Sequence, residues 1–270
     1  MRAPLSLRVG CSWRDAVASS SDVVAPPGRG FVQYKKMMAQ AGSPLTFRVP
    51  SLNLKLAVRC GCIGAAAMSG RYAGIVTPSN ALMCGNKSKW WGFIGAENVD
   101  GVLRSLAGPG LAEECEAIPA VAASGLEKLL PSSARATGAH DLNARHLIHA
   151  LAPASAYPRQ PAELALRRSY SRCLQLAADL EVESLALPAL GCGVAGFPAG
   201  IGARAAFDAI EDAASLGLWS AADDMAEEQE QEAGAKGPAR VEFFLRDERV
   251  YDAFADAAHA RWGRRPGGPF

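Results

Sequence analysis

The chain has 270 residues, 49% of them hydrophobic, enough to bury a sizeable core in one or two domains. Its formal charge of +1 excludes the broad basic footprint of a dedicated nucleic-acid binder, so any anionic ligand has to be held locally. No run approaches the ~18–20 apolar residues that cross a bilayer, and the seven scattered cysteines and four histidines lack zinc spacing, which points to reduced thiols and to no metal or resident cofactor.

Residues 1–43 carry Arg2, Arg8 and Arg14, a serine cluster at 19–21 and the breaker Pro26-Pro-Gly-Arg-Gly30, and show no sustained periodicity. They read as a disordered leader with the faint outline of an organelle transit segment; without such an address the chain would be cytoplasmic or nuclear. One folded domain is expected over 44–262, with insertions at 84–98 and 220–237 and a flexible tail at 263–270.

Within that domain, 45–49 and 52–58 read as the two strands of a hairpin, and 73–77 as a β-rich segment ended by Pro78-Ser-Asn80. The insertion that follows holds Trp90 and Trp91, which either cover a pocket or pin the loop to the body. Helices are expected over 99–106 and 111–118, split at Gly108-Pro-Gly110, with Asn98 as the cap of the first and Asp100 in its opening turn. Residues 134–137 and 146–151 read as strands, the second with His149 as a packed, hydrogen-bonded core group. Leu166, Tyr170, Cys173, Leu174, Ala177 and Leu180 form the apolar stripe of a helix lying on a sheet. The acid-rich stretch 223–232 reads as a solvated linker, 241–245 as a last strand and 248–260 as a last helix. Strands alternating with helices indicate an α/β domain with helices on both faces of the sheet.

The segment on which the rest turns is Leu185-Ala-Leu-Pro-Ala-Leu-Gly-Cys-Gly-Val-Ala-Gly-Phe-Pro198. An apolar strand over 185–190 runs into a glycine-rich turn, and helical spacing resumes over 201–210. The first amides of a helix lack carbonyl partners and lie at the positive end of its dipole, so Gly191, Cys192, Gly193, Val194, Ala195, Gly196 and Phe197 can form a phosphate cradle. The same pattern also suits a tight strand-to-helix turn whose glycines serve backbone geometry alone.

Several separated segments resemble the macrodomain family. The cradle is similar to the family's second phosphate loop, Ile75-Val-Thr-Pro-Ser-Asn80 to the strand ending in Asn-Ala-Ala-Asn, and Val99-Asp-Gly101 with Ala107-Gly-Pro109 to the segment after the first glycine loop. Residues 137–142, 144–149 and 241–254 follow in the family order. The resemblance implies a three-layer α/β/α sandwich around a mixed central sheet, and ADP-ribose or an ADP-ribosylated protein as the partner. Asp100 would orient or deprotonate water for hydrolysis of an ADP-ribosyl ester, on a protein carboxylate or an acetyl group, and Asn80 would hold the distal ribose. Cys62 and Ile63 would lie at the adenine, and Asn98 with the cradle residues at the diphosphate. The chain departs from the family at Cys62, which replaces an adenine-binding Asp, at Thr77, which replaces the first Asn, at the first glycine loop, now Gly95-Ala-Glu-Asn98, and at Ala195, which replaces an aromatic residue. Three rival readings stand beside the hydrolase: a non-catalytic reader of ADP-ribose or another nucleotide, an NAD-dependent oxidoreductase using Gly191-x-Gly193-x-x-Gly196, and a fold kept for interaction through Trp90-Trp91.

Overall fold

Leu45–Val49 (β1) and Leu54–Cys60 (β2) pair antiparallel, with Phe47 opposite Leu56 and Val49 opposite Leu54. They are joined by a single 3-10 turn, Pro50–Leu52, that closes on Asn53 at φ 46°, a left-handed conformation Asn tolerates better than most residues. The computed structural model describes residues 43–85, 98–121, 125–156, 161–215 and 237–263. The leader, the Trp90-Trp91 insertion, the acidic stretch 223–232 and the tail beyond Gly263 lie outside the described residues.

The remaining strands are Gly74–Pro78 (β3), Ser133–Gly138 (β4), His146–Leu151 (β5), Ser184–Leu187 (β6) and Arg240–Leu245 (β7). They build a seven-stranded sheet in the order β1-β2-β7-β6-β3-β5-β4. β2, β7, β6, β3 and β5 run parallel, and antiparallel β1 and β4 close the two edges. The sheet is therefore mixed, and β6 lies at its middle.

Alternation along the strands sends Val76, Ile148 and Phe243 to one face, and Ile75, Leu147 and Phe244 to the other. Ala162–Asp179 (α4), Ala199–Ser215 (α5) and Glu248–Trp262 (α6) cover the first face. There Phe207, Phe243 and Phe254 meet at ring distances of 5.2–5.7 Å. Ile63–Met68 (α1), Val99–Ala107 (α2) and Pro109–Ala117 (α3) cover the second. This is the expected three-layer α/β/α sandwich, and no helix among the described residues is long and apolar enough to cross a membrane.

Two local features differ from the sequence reading. The strand expected over 185–190 stops at Leu187, because Pro188 has no N–H for the ladder and its carbonyl is taken by the Leu190 amide, which turns the chain. Helix α1 was not anticipated: it has six residues, all buried, and so no polar stripe to betray its period.

The second face carries polar inlays. Thr77, Thr137, His149 and Glu242 are buried, all but Thr137 fully. Glu242 accepts from Arg59 and Arg240 at 2.5 Å and from the Tyr72 hydroxyl at 2.5 Å. Burial alone would raise this carboxyl, but the three donors outweigh it and hold Glu242 below the usual carboxylate range. The network ties β2 and β7 to the chain leaving α1.

Candidate functional site

The carboxyl ends of the parallel strands open at one edge of the sheet, the place where open α/β sheets receive ligands. β2 delivers Cys62 and Ile63 there, β3 delivers Asn80, β5 delivers Ser155, and the central β6 delivers the cradle. The fold thus gathers most of the expected site residues at one edge.

The cradle is held from beneath. Leu166 and Phe197 close on Gly191, and the Tyr170 hydroxyl donates to the Leu190 carbonyl at 3.3 Å. Cys192, Gly196 and Phe197 spend their amides inside the turn, on Ala189, Gly193 and Gly191 carbonyls, and Ser155 donates its amide to Ala195 at 2.8 Å. The amides of Gly193, Val194 and Ala195 meet no acceptor among the described residues. They lie just before α5, whose Ile201 and Gly202 amides bond to Pro198 and whose earlier amides extend the donor set. Val194 is 96% exposed at the tip.

The three glycines separate by role. Gly191 and Gly196 have φ of +81° and +79°, and a Cβ at Gly191 would lie 2.8 Å from Leu166. Gly193 has no positive φ, and a Cβ there would meet nothing within 4 Å among the described residues. The turn requires the outer two; no packing among the described residues requires the middle one. Cys192 points its sulfur at Gly202, and burial pushes the thiol up to about 11, so this residue presents no thiolate at the edge.

Asp100 lies on the first turn of α2, where Asn98 caps the helix by accepting from the Gly101 amide at 2.7 Å. The helix turns Asp100 inward against the end of β3, where the Thr77 hydroxyl reaches it at 3.4 Å. Arg104, one turn on, donates through Nε to both carboxylate oxygens at 3.1 and 3.0 Å. Burial raises the Asp100 pKa, opposed by the Arg104 charge and by the hydrogen bonds from Arg104 and Thr77. Beside Thr77 in the ladder, His149 has Nε2 3.0 Å from the Thr137 hydroxyl and, among the described residues, no partner at Nδ1. Burial, aided by the Arg104 charge, lowers its pKa to about 3 and keeps it neutral.

Asn80 turns its side chain to its own loop, with Oδ1 accepting from the Leu82 and Cys84 amides and Nδ2 donating to the Gly85 carbonyl at 2.8 Å. Cys62 is the half-buried residue preceding α1, and Ile63 packs into the core beneath it. Sequence reading missed Arg104; its signal was the i,i+4 spacing from Asp100 on a helix already expected. A cavity of about 630 Å³ lies at the other end of the sheet, between Tyr72, Asn143, Arg145 and Ser184. Asn143, Arg145 and Ser184 bond to local backbone there, and that end holds none of the residues above.

This geometry defines an α/β/α protein with a glycine-rich turn at the carboxyl end of the central strand and a buried acid at the end of β3. The Macro domain family model matches residues 88–206. A macro domain-containing protein of Xanthomonas axonopodis pv. citri is 34% identical over 120 residues, covering 44% of this chain and 66% of the relative. An O-acetyl-ADP-ribose deacetylase of Enterobacter sp. (strain 638) is 33% identical over 120 residues, covering 44% and 64%. The chain thus spans slightly less than two thirds of the curated relatives it matches. Among solved structures, an Oceanobacillus iheyensis macrodomain with ADP superposes with a TM-score of 0.60 at 21% identity, covering 81% of this chain and 97% of that one. The Trypanosoma brucei macrodomain in complex with ADP-ribose gives 0.57 at 20%, covering 79% and 74%. The chain carries the fold of the solved macrodomains, and its residues 88–206 match the Macro domain family.

Proposed function

We propose that this chain binds ADP-ribose at the carboxyl edge of its sheet and hydrolyses an ADP-ribosyl ester there, on a mono-ADP-ribosylated protein or on O-acetyl-ADP-ribose. The diphosphate rests on the Gly193, Val194 and Ala195 amides and the start of α5, and the distal ribose extends toward Asp100 and Asn80. The carrying observation is Gly193: among the described residues a Cβ there meets no atom within 4 Å, and the neighbouring amides meet no acceptor. That favours a ligand's close approach over turn geometry as the reason for its small size. Relatives named O-acetyl-ADP-ribose deacetylase support the choice of ester.

Hydrolysis asks the protein to place one water at the anomeric or acyl carbon, and orientation of this kind supplies several kcal/mol of the barrier. Asp100 accepts the hydrogen bond of that water and takes its proton. An ordinary carboxylate is a weak base, and burial strengthens Asp100 by raising its pKa. The diphosphate's negative charge acts in the same direction.

A non-catalytic reader is the second reading, favoured by the commitment of the Asn80 amide to its own loop and by Cys62 standing where the family has an acid. The oxidoreductase reading finds no support. The dinucleotide fingerprint calls for a free acid at the end of the next strand, and Asp247, beyond β7, spends its carboxylate on the amides of Arg249 and Val250 at the start of α6. Thermal shift with ADP-ribose, AMP and NAD in parallel tests the ligand, a shift confined to ADP-ribose being expected and equal shifts contradicting it. Asp100→Ala is expected to abolish ester hydrolysis while ADP-ribose affinity stays within about tenfold, ~1.4 kcal/mol. Unchanged turnover in that variant removes Asp100 from the reaction, and binding without turnover in the unaltered chain selects the reader.

A further inference from the structure

Arg104 does more than pair with Asp100. While Nε donates to both carboxylate oxygens, Nη2 leaves the helix and donates to the Met83 carbonyl at 2.9 Å. Met83 in turn donates its amide to the Asn80 carbonyl at 3.1 Å, and the Asn80 side chain holds the Leu82 and Cys84 amides and the Gly85 carbonyl. Gly85, at φ +69°, lies directly on the arginine stem: a Cβ there would stand 3.0 Å from Cδ and 3.1 Å from Nε of Arg104.

We propose that Arg104 is the positioning residue of this site, a brace that fixes the Asp100 carboxylate in one orientation and ties to it the loop carrying Asn80. The inference rests on the proposed function, in which Asp100 and Asn80 meet the distal ribose from two separate segments. Without a tie, α2 and the loop after β3 could shift independently, and near-attack geometry tolerates little such freedom. An exposed i,i+4 ion pair contributes little, but here the two side chains are only 16% and 12% exposed, and the guanidinium fork spans a carboxylate and a carbonyl on different segments.

The brace also sets the charge state of the acid. The groups around Asp100 are Thr77 on β3, neutral His149 on β5, and Cys115 on α3, whose thiol burial raises and whose sulfur is 4.0 Å from both Arg104 terminal nitrogens. Glu114, also on α3, is turned to the Gly138 amide and His140. Arg104 is the cation that opposes burial at this carboxyl.

The test compares Arg104→Gln and Arg104→Lys in the full chain. Carbon-13 NMR titration follows the Asp100 carboxyl of the free protein, its signal identified by its loss in Asp100→Asn. Arg104→Gln is expected to move that titration upward by about one pH unit or more, the usual effect of a neighbouring opposite charge. Arg104→Lys, which keeps the charge without the fork, leaves it within about half a unit. In both variants the Cys84 amide, held by Asn80, exchanges with solvent faster than in the unaltered chain. An unmoved titration in Arg104→Gln, or unchanged Cys84 exchange in both variants, overturns the brace; if Arg104→Gln does not fold, Arg104→Lys and its exchange decide. These readings need neither ligand nor turnover. A chain that fails to bind ADP-ribose therefore overturns the proposed function and leaves the brace to its own result. Where turnover is present, the acid limb of its pH profile rises with the Asp100 titration in Arg104→Gln.

Discussion

At Gly191 a φ of +81° and the Leu166 methyl contact make glycine a condition of the turn, so Gly191→Ala is expected to lower stability by about 1–3 kcal/mol in chemical denaturation. The Gly-x-Gly-x-x-Gly pattern was legible in the sequence, but sequence carries no dihedrals and could not separate the glycines that serve the bend from the one left open to a ligand. Asp100 was legible too, since Asn98 and a Val-Asp-Gly start place an acid in the first turn; the i,i+4 spacing offers Arg104 as its partner, but only the fold shows the Met83 carbonyl that the same side chain holds. His149 was read as a hydrogen-bonded core group, and its bond to Thr137 agrees. Its pKa, about 3 when folded against an ordinary 6.5, gives the unfolded chain the larger proton uptake between those values. Stability contributed by neutral His149 is thus complete above about pH 6.5 and declines as pH falls, by at most ~1.4 kcal/mol per unit. Urea denaturation across pH 7 to 4 is expected to show this decline, and His149→Gln, which cannot titrate, to flatten it. Glu242, held low, adds its own loss only below the usual carboxylate range, and Asp100, held high, acts in the opposite sense.

Among the elements, β2, β7 and the exit of α1 are joined by one carboxylate. Glu242→Gln leaves Arg59 and Arg240, 14% and 32% exposed, without their counter-charge beside an apolar face. The expected loss is about 2–4 kcal/mol by denaturation, less than for a fully sealed pair because solvent reaches both guanidinium groups. A lone Glu within Val241-Glu-Phe-Phe-Leu245 gave no warning of this, since its partners come from residues 59, 72 and 240. Strands with β-branched or alternating patterns and helices α2 to α6 were legible because each shows its period over several residues. Helix α1 was not, being too short and buried all round. The strand into the cradle was read too long because an apolar run continues past Pro188, where ladder bonding cannot.

For the whole molecule, the sequence supplied the alternation of strands and helices but not the order in which the strands lie. That order puts β6 at the centre and brings Cys62, Asn80 and the cradle, distant in the chain, to one edge. The family model ends at residue 206, yet the sheet continues through β7 and is covered by α6, and the superposition on the solved macrodomain takes in 81% of this chain. Main-chain amides at 193–195 are the proposed seat of the ADP-ribose diphosphate, and isothermal titration of the unaltered chain and Gly193→Val with ADP-ribose is the experiment that decides it. A Cβ at this position meets nothing within 4 Å among the described residues, so Gly193→Val should denature at the same urea concentration, within ~0.5 kcal/mol. ADP-ribose is expected to bind the unaltered chain and to lose at least about tenfold in affinity, ~1.4 kcal/mol, in the variant. Equal affinity for both proteins would contradict it.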